Sequence, residues 1–304
     1  MVNAAKSRLF QKTHGERVFN VFNVIFMLLM CVFFLYPVLN VWASSLSGSS
    51  AILQQKVSVY PVDFTTIGYN SVISNKYIWT SYGNTIFVSV VGCVTGLLAT
   101  CLAAYPLAFC KFYGKKVYSM MIIVALWFSG GMIPTYIVMH DVHLTNTLWA
   151  LIINTLCSSY YIIILRSFFE GGIPTSLVES MKIDGANDFT ILFRLVIPLS
   201  KAALATISLW IIVLHWNEFL APLIYLQSRN KYTLQIILRD IILESSGSLS
   251  GVSDQANLNA EGQMVIPTQV QDAVIVVSML PMIIIYPFLQ KYFVKGIMIG
   301  AVKG

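Results

Sequence analysis

Six apolar runs dominate this chain, near residues 18–45, 84–109, 117–139, 147–168, 202–226 and 270–293. Each is long enough to cross a hydrocarbon core, which takes about 20 residues of helix. With no water inside a bilayer, a spanning segment has to satisfy its own backbone, so runs of this length are expected as α-helices. Gly130-Gly131 and Pro134 interrupt the third run, and Pro281 and Pro287 the sixth; neighbouring helices can re-satisfy the backbone at such breaks. Composition agrees with the runs. The chain is 57% hydrophobic and only 11% charged, whereas soluble domains carry about 25% charged residues. The first run lies too deep and is too long for a cleavable leader, and it lacks a small-residue cleavage site, so it is expected to be retained. The expected class is an all-α integral membrane protein: a segment 1–17, six transmembrane helices across 18–293, and a tail 294–304.

Orientation follows from lysine and arginine. Fourteen of them (Lys6, Arg8, Lys12, Arg17, Lys111, Lys115, Lys116, Arg166, Lys182, Arg194, Lys201, Lys291, Lys295 and Lys303) fall on one side of the expected spans, and five (Lys56, Lys76, Arg229, Lys231 and Arg239) on the other. The positive-inside rule puts the richer side, with both termini, in the cytoplasm. The net charge of +6 is then largely this asymmetry, facing anionic lipid and a soluble partner, and it calls for no nucleic acid.

On that inner side lies the segment 169–201, too long and too patterned for a plain connector. Pro174 ends the fourth run, and Ser176 followed by Glu179 fits a capping box that starts a new helix. Leu177, Val178 and Met181 give that helix an apolar side, with Glu179, Lys182 and Asp184 polar. Gly185 permits a sharp turn that a residue with a Cβ reaches only at a cost. Asn187 is placed to cap a second short helix whose apolar positions Phe189, Leu192, Phe193 and Val196 recur at helical spacing. Pro198 suits the first turn of the helix that follows. Two readings stay open on residues alone: a capped surface elbow without a partner, or a docking surface for a soluble protein.

Glu179, then two small or flexible residues (Ser180 and Met181), then Asp184-Gly185-Ala186 and later Ile197-Pro198, together resemble the EAA loop of ABC importer permeases. Ser180 and Met181 stand where the motif has its two alanines. The resemblance implies the type I importer permease fold, in which this loop is the coupling helix seated in a cleft of a cytoplasmic ATPase subunit. Glu179, Ser180, Met181, Ile183, Asp184, Gly185, Ala186 and Phe189 are the expected coupling residues. GGMIPTY at 130–136, LTNTLWALI at 144–152, HWNEFLAPLIYL at 215–226 and QKYFVKGIMIGAVKG at 290–304 are similar to the carbohydrate branch, whose permeases work in pairs. That implies a sugar or oligosaccharide cargo, a second homologous permease, two copies of the ATPase, an extracytoplasmic solute-binding protein and a bacterial cell membrane. Lys295, Gly296 and Gly300 are expected to reach toward the ATPase; by residue type alone that tail is flexible and basic.

The fifth run holds Glu218 beside His215, Trp216 and Asn217, the one acidic residue read as lying well inside a span. An acid at a helix centre costs about 2.5–3.5 kcal/mol on insertion scales, so it has to face a partner or water. Asn217 and Glu218 either line the translocation path or bond across helices to hold the core. The outer segments 46–83 and 227–269 are where a binding protein would touch. Leu234, Ile237, Leu238 and Ile241 mark an apolar helical face, followed by a Ser/Gly/Asn-rich stretch. Gly92 and Gly96 form a GxxxG that allows close helix packing. Trp79, Tyr82 and Trp127 read as interface anchors or core.

Catalytic signatures do not occur. There is no GxxxxGK[ST], GxSxG or HExxH. His140, Asp141 and His143 have no further ligand nearby, and the five cysteines show no CxxC spacing, so no metal or disulfide is expected. The chain is expected to be a non-catalytic transport subunit with no cofactor of its own, ATP and magnesium being bound by its partners. An importer for a peptide or polyamine is the near alternative. An ion-coupled secondary transporter is the distant one, which usually shows paired embedded charges and internal repeats.

Overall fold

The computed structural model describes residues 14–249, 257–258 and 264–301, with side chains over 15–243 and 266–287. The described chain is helical: α1 (His14–Ser45), α2 (Ser49–Leu53), α3 (Ile67–Ser74), α4 (Lys76–Phe109), α5 (Lys115–Trp127), α6 (Met132–Asp141), α7 (Leu148–Thr155), α8 (Ser159–Gly172), α9 (Thr175–Ile183), α10 (Asp188–Ile191), a π-helical turn (Leu192–Val196), α11 (Ile197–Leu199), α12 (Lys201–Asn217), α13 (Leu220–Tyr225), α14 (Leu234–Leu249) and α15 (Pro267–Ala301). One antiparallel two-residue bridge pairs β1 (Asn257–Leu258) with β2 (Met264–Val265).

Three helices are long and apolar enough to cross a membrane (Gly15–Ser45, Lys76–Phe109 and Pro267–Pro287), and six segments are if each bent pair counts as one span. The third expected span is α5 and α6, bent by 116° where Gly131 takes φ +87°. The fourth is α7 and α8, bent by 47°. In the sixth, helix continues through Pro281 and Pro287 to Ala301, so the interruption expected there is absent. A proline removes one backbone donor and adds a clash; a long apolar helix absorbs both where its other bonds persist.

Contacts divide the chain into two compact units, 1–72 with 245–277, and 73–244 with 278–304. In the first unit, the serine-rich turn after α1 is knitted by side chains. Ser47 donates to Ala43 O at 2.6 Å, and the Ser45 and Tyr69 hydroxyls are 2.8 Å apart. Gln269 is fully buried, donating to Ser47 O at 2.9 Å and accepting from Ser49 at 3.1 Å. Gly68 is required here, because a Cβ would lie 2.9 Å from Gln269 O.

In the second unit α4 is the central post. Its buried face carries Ser81, Thr85, Ser89, Gly92, Gly96, Thr100 and Ala104, small residues that let neighbouring helices come close. The GxxxG expectation holds: a Cβ on Gly92 would run into the imidazole of His215 on α12, and one on Gly96 would meet Ile211 Cδ1 at 3.4 Å. One apolar core gathers Cys101, Ala104 and Leu107 of α4, Leu165 and Phe169 of α8, Val178 of α9, Ile191 and Leu192 of the elbow, and Ile207 and Ile211 of α12. A second gathers Val88, Met139, Ala150–Ile152 and Tyr225-Leu226. Between them, the two cores pack against α4 from Val88 to Leu107.

Candidate functional site

The elbow forms as two short helices, and its turn is tighter than a hinge. α9 ends with Gly185 at φ +82°, Gly185 N–H donating to Lys182 O at 3.1 Å and Ala186 N–H to Met181 O at 2.9 Å. This is the Schellman arrangement, which closes a helix by satisfying its last carbonyls. Asn187 then caps α10, its side chain accepting from Thr190 N–H at 2.7 Å. The capping box expected at Ser176 and Glu179 does not form: the helix begins at Thr175, with Pro174 at the cap position and no side-chain cap bond. Pro174 already fixes the entry and has no N–H to cap. Beyond α10 the backbone passes through the π-helical turn, and an 84° bend at Ser200 leads into α12.

The elbow residues divide by exposure. Val178, Ile191, Leu192 and Val196 are buried against α4, α8 and α12. Met181 and Ala186 also turn partly inward against this core. Ile183 and Phe189 point the other way and are 86% and 66% exposed. Glu179, Ser180 and Asp184 are exposed beside them. A cleft of about 450 Å³ opens between α9 and the turn after α4, lined by Cys110, Lys111, Lys115, Thr175, Glu179 and Lys182 among others. Charge follows the same geometry. Asp188 accepts from the Tyr105 hydroxyl at 2.8 Å and pairs with Lys182 Nζ at 3.4 Å. Burial pushes the Cys110 thiol above its ordinary range, and the neighbouring Asp188 carboxylate adds to the shift.

Asn217 and Glu218 sit where α12 stops. Glu218 terminates that helix, and its Oε1 accepts from Leu220 N–H at 3.0 Å and Ala221 N–H at 3.1 Å, capping α13. Asn217 donates to Val213 O at 2.9 Å. Asn217 is thus satisfied within its own helix, and Glu218 by the first backbone donors of α13, the helix that follows directly in the chain. His215 is buried, with its Nε2 3.3 Å from the Thr155 hydroxyl. The backbone of Gly296 and Gly300 lies within α15, so helix replaces the expected flexible tail at those positions. The side chain of Lys295 and residues 302–304 lie outside the described residues.

Two residues escaped the sequence reading. Asp272, three residues into the sixth expected span, is 8% exposed and bonded to the Ser44 side chain, so Glu218 is not the sole embedded acid. Asn146, in left-handed backbone at φ +56°, ties α7 to the segment after α13. Its Oδ1 accepts from Gln227 N–H and Ser228 N–H at 3.2 and 3.1 Å, and its Nδ2 donates to Ser228 Oγ at 2.9 Å. An Asn-x pair opening an apolar run, here Asn146-Thr147 before Leu148, was the available signal.

No family model matches the chain. Known proteins do. The polygalacturonan/rhamnogalacturonan transport system permease protein YtcP of Bacillus subtilis (strain 168) is 35% identical over 95% of this chain and 99% of its own length. Protein LplC of the same organism is 36% identical over 99% of this chain and 100% of its own. Among solved structures, a chain of a bacterial ABC transporter involved in the import of the acidic polysaccharide alginate superposes with a TM-score of 0.85 at 34% identity, covering 93% of this chain and 99% of that one. Full-length likeness at these identities, on a helical fold with up to six spans and a capped elbow, leaves one assignment: the chain belongs to the ABC importer permeases and is a multi-pass, membrane-spanning permease subunit of a transport system.

Proposed function

We propose that this permease carries an oligosaccharide inward by alternating access, driven by a cytoplasmic ATPase that docks on the 177–195 elbow. One observation carries the docking: Ile183 and Phe189, at the tip of an elbow rigidified by a Schellman turn and an Asn cap, are 86% and 66% exposed. Large apolar side chains held out from a rigid support on the lysine-rich side of the chain suit a protein cleft better than water. Glu179, Ser180 and Asp184 ring them with polar groups, as the rim of an interface requires. Because the turn is closed, the elbow moves as one body and passes its displacement to α8 and α12, which it packs against. Gly185 supplies the backbone conformation on which that rigidity depends.

The same reading gives the system two ATPase copies, a second homologous permease and an extracytoplasmic binding protein, with both termini of this chain in the cytoplasm. ATP and magnesium belong to the ATPase. A sugar cargo is supported by the relatives: two of the three proteins named above carry a polysaccharide in their names, and for one the polymer is called acidic. An acidic oligosaccharide is therefore the first cargo to test. Asn217 and Glu218 reach the path only through polar valences left after their local bonds.

Co-purification tests the docking. Ile183→Asp with Phe189→Asp places charge in an apolar cleft, and the ATPase should no longer be retained by detergent-solubilised permease. Retention at the unaltered level contradicts the proposal.

A further inference from the structure

We propose that Asp188 fastens the elbow to the second spanning helix through the hydroxyl of Tyr105, and that this tie transmits the elbow's displacement to α4. The idea rests on the reading that the elbow docks an ATPase. Most of the elbow is held by apolar packing through Val178, Ile191 and Leu192, and apolar packing is non-directional. Such surfaces can slide and repack when pushed. Asp188 is different because its bonds are directional.

Asp188 opens α10 immediately after the Asn187 cap, so its backbone is fixed. Its Oδ1 accepts from Tyr105 Oη at 2.8 Å and faces Lys182 Nζ of α9 at 3.4 Å. One carboxylate oxygen therefore joins both limbs of the elbow to a single hydroxyl on α4. Tyr105 is 4% exposed, and its ring packs on Phe109 with centroids 5.8 Å apart. Phe109 in turn stacks on Phe169 of α8 at 6.4 Å and 21°, and Phe169 is fully buried. A contiguous path of rigid rings thus runs from the carboxylate along α4 and into α8. Tyr105 does not touch the docking face, which makes it a positioning residue.

The test uses the whole complex in proteoliposomes, reading cargo transported per ATP hydrolysed. Tyr105→Phe keeps the ring and deletes the bond, and a hydrogen bond to a charged group corresponds to about tenfold or more. Transport per ATP should fall about tenfold while the ATPase stays bound. Asp188→Asn retains an acceptor for the hydroxyl and should recover much of the loss. Asp188→Ala, which also loses the Lys182 pair, should fall at least as far as Tyr105→Phe, and the double variant should be no worse than Asp188→Ala alone, as expected when the tyrosine acts only through that carboxylate. Should Tyr105→Phe fail to assemble, Asp188→Ala is read against Asp188→Asn with the same criterion. Unchanged coupling in Tyr105→Phe, or additive losses in the double variant, overturns the tie. Ile183→Asp separates the two claims: if it releases the ATPase while Tyr105→Phe couples normally, docking stands and the tie falls; if it leaves both docking and coupling intact, the docking reading itself falls.

Discussion

Substitution at Gly185 isolates the elbow's rigidity from its contacts. The glycine sits at φ +82°, and a Cβ added there meets nothing within 4 Å. Steric collision with neighbours is therefore absent, and the cost is that of holding an L-residue in left-handed backbone. For alanine that is about 1–2 kcal/mol, a factor of roughly 5–30 in favour of conformers with the turn opened. Asparagine tolerates this region better and should cost less; valine, with its branched Cβ, should cost more. Opening the turn frees the bonds from Gly185 to Lys182 and from Ala186 to Met181, so α9 and α10 no longer move together. Transport per ATP in the reconstituted complex should rank glycine above asparagine, alanine and valine in that order, with ATPase turnover largely kept. Equal coupling across the series, or asparagine as the worst of the three, would refute the argument that a closed turn matters.

Three other perturbations follow from single sites. Gly92→Ala drives a methyl into the buried His215 ring; overpacking of this kind costs about 1–3 kcal/mol, so the permease should unfold at a lower temperature, and Gly96→Ala, whose nearest new contact is at 3.4 Å, should cost less. Asn146→Ala removes the three side-chain bonds to residues 227 and 228 and should speed amide exchange there; unchanged exchange would contradict a role for this side chain and leave the loop to the bonds of Asn146 N–H with Tyr225 O and of Lys231 with Asn146 O, both 2.7 Å. In a variant keeping Cys110 as its sole cysteine, alkylation should be slower at neutral pH than for a free thiol, because the thiolate reacts and burial with the Asp188 charge raises the pKa; Asp188→Asn removes part of that rise and should shift the rate–pH curve toward lower pH.

The elbow was legible because its signals are local. A proline, a Gly-for-turn and an Asn-for-cap are close in sequence, and the charged residues contrast with the apolar runs around them. The break between α5 and α6 was legible for the same reason, through Gly130-Gly131. The Ser176–Glu179 capping box failed because Pro174 took the cap position first. Pro281 and Pro287 looked like breaks because a proline's local penalty is visible in sequence, whereas the helix that absorbs it is not. Asp272 escaped notice because burial is a property of what packs on it, and the end of α1, which holds Ser44, lies far away in the chain. The bond between Tyr105 and Asp188 joins positions 83 apart; a single sequence gives no sign of such a pairing. Glu218 drew attention as an embedded charge, yet the helix ends one residue before it, and its carboxylate caps the next.

Energy dependence tests the central claim most directly. The complete transport complex, reconstituted in vesicles with its binding protein and an acidic oligosaccharide, should accumulate the sugar only when ATP and magnesium reach the ATPase side. The Ile183→Asp, Phe189→Asp permease should not support uptake under those conditions. Uptake driven by an ion gradient without ATP, or undiminished uptake by the doubly substituted elbow, would contradict a permease worked from outside by a nucleotide-hydrolysing partner.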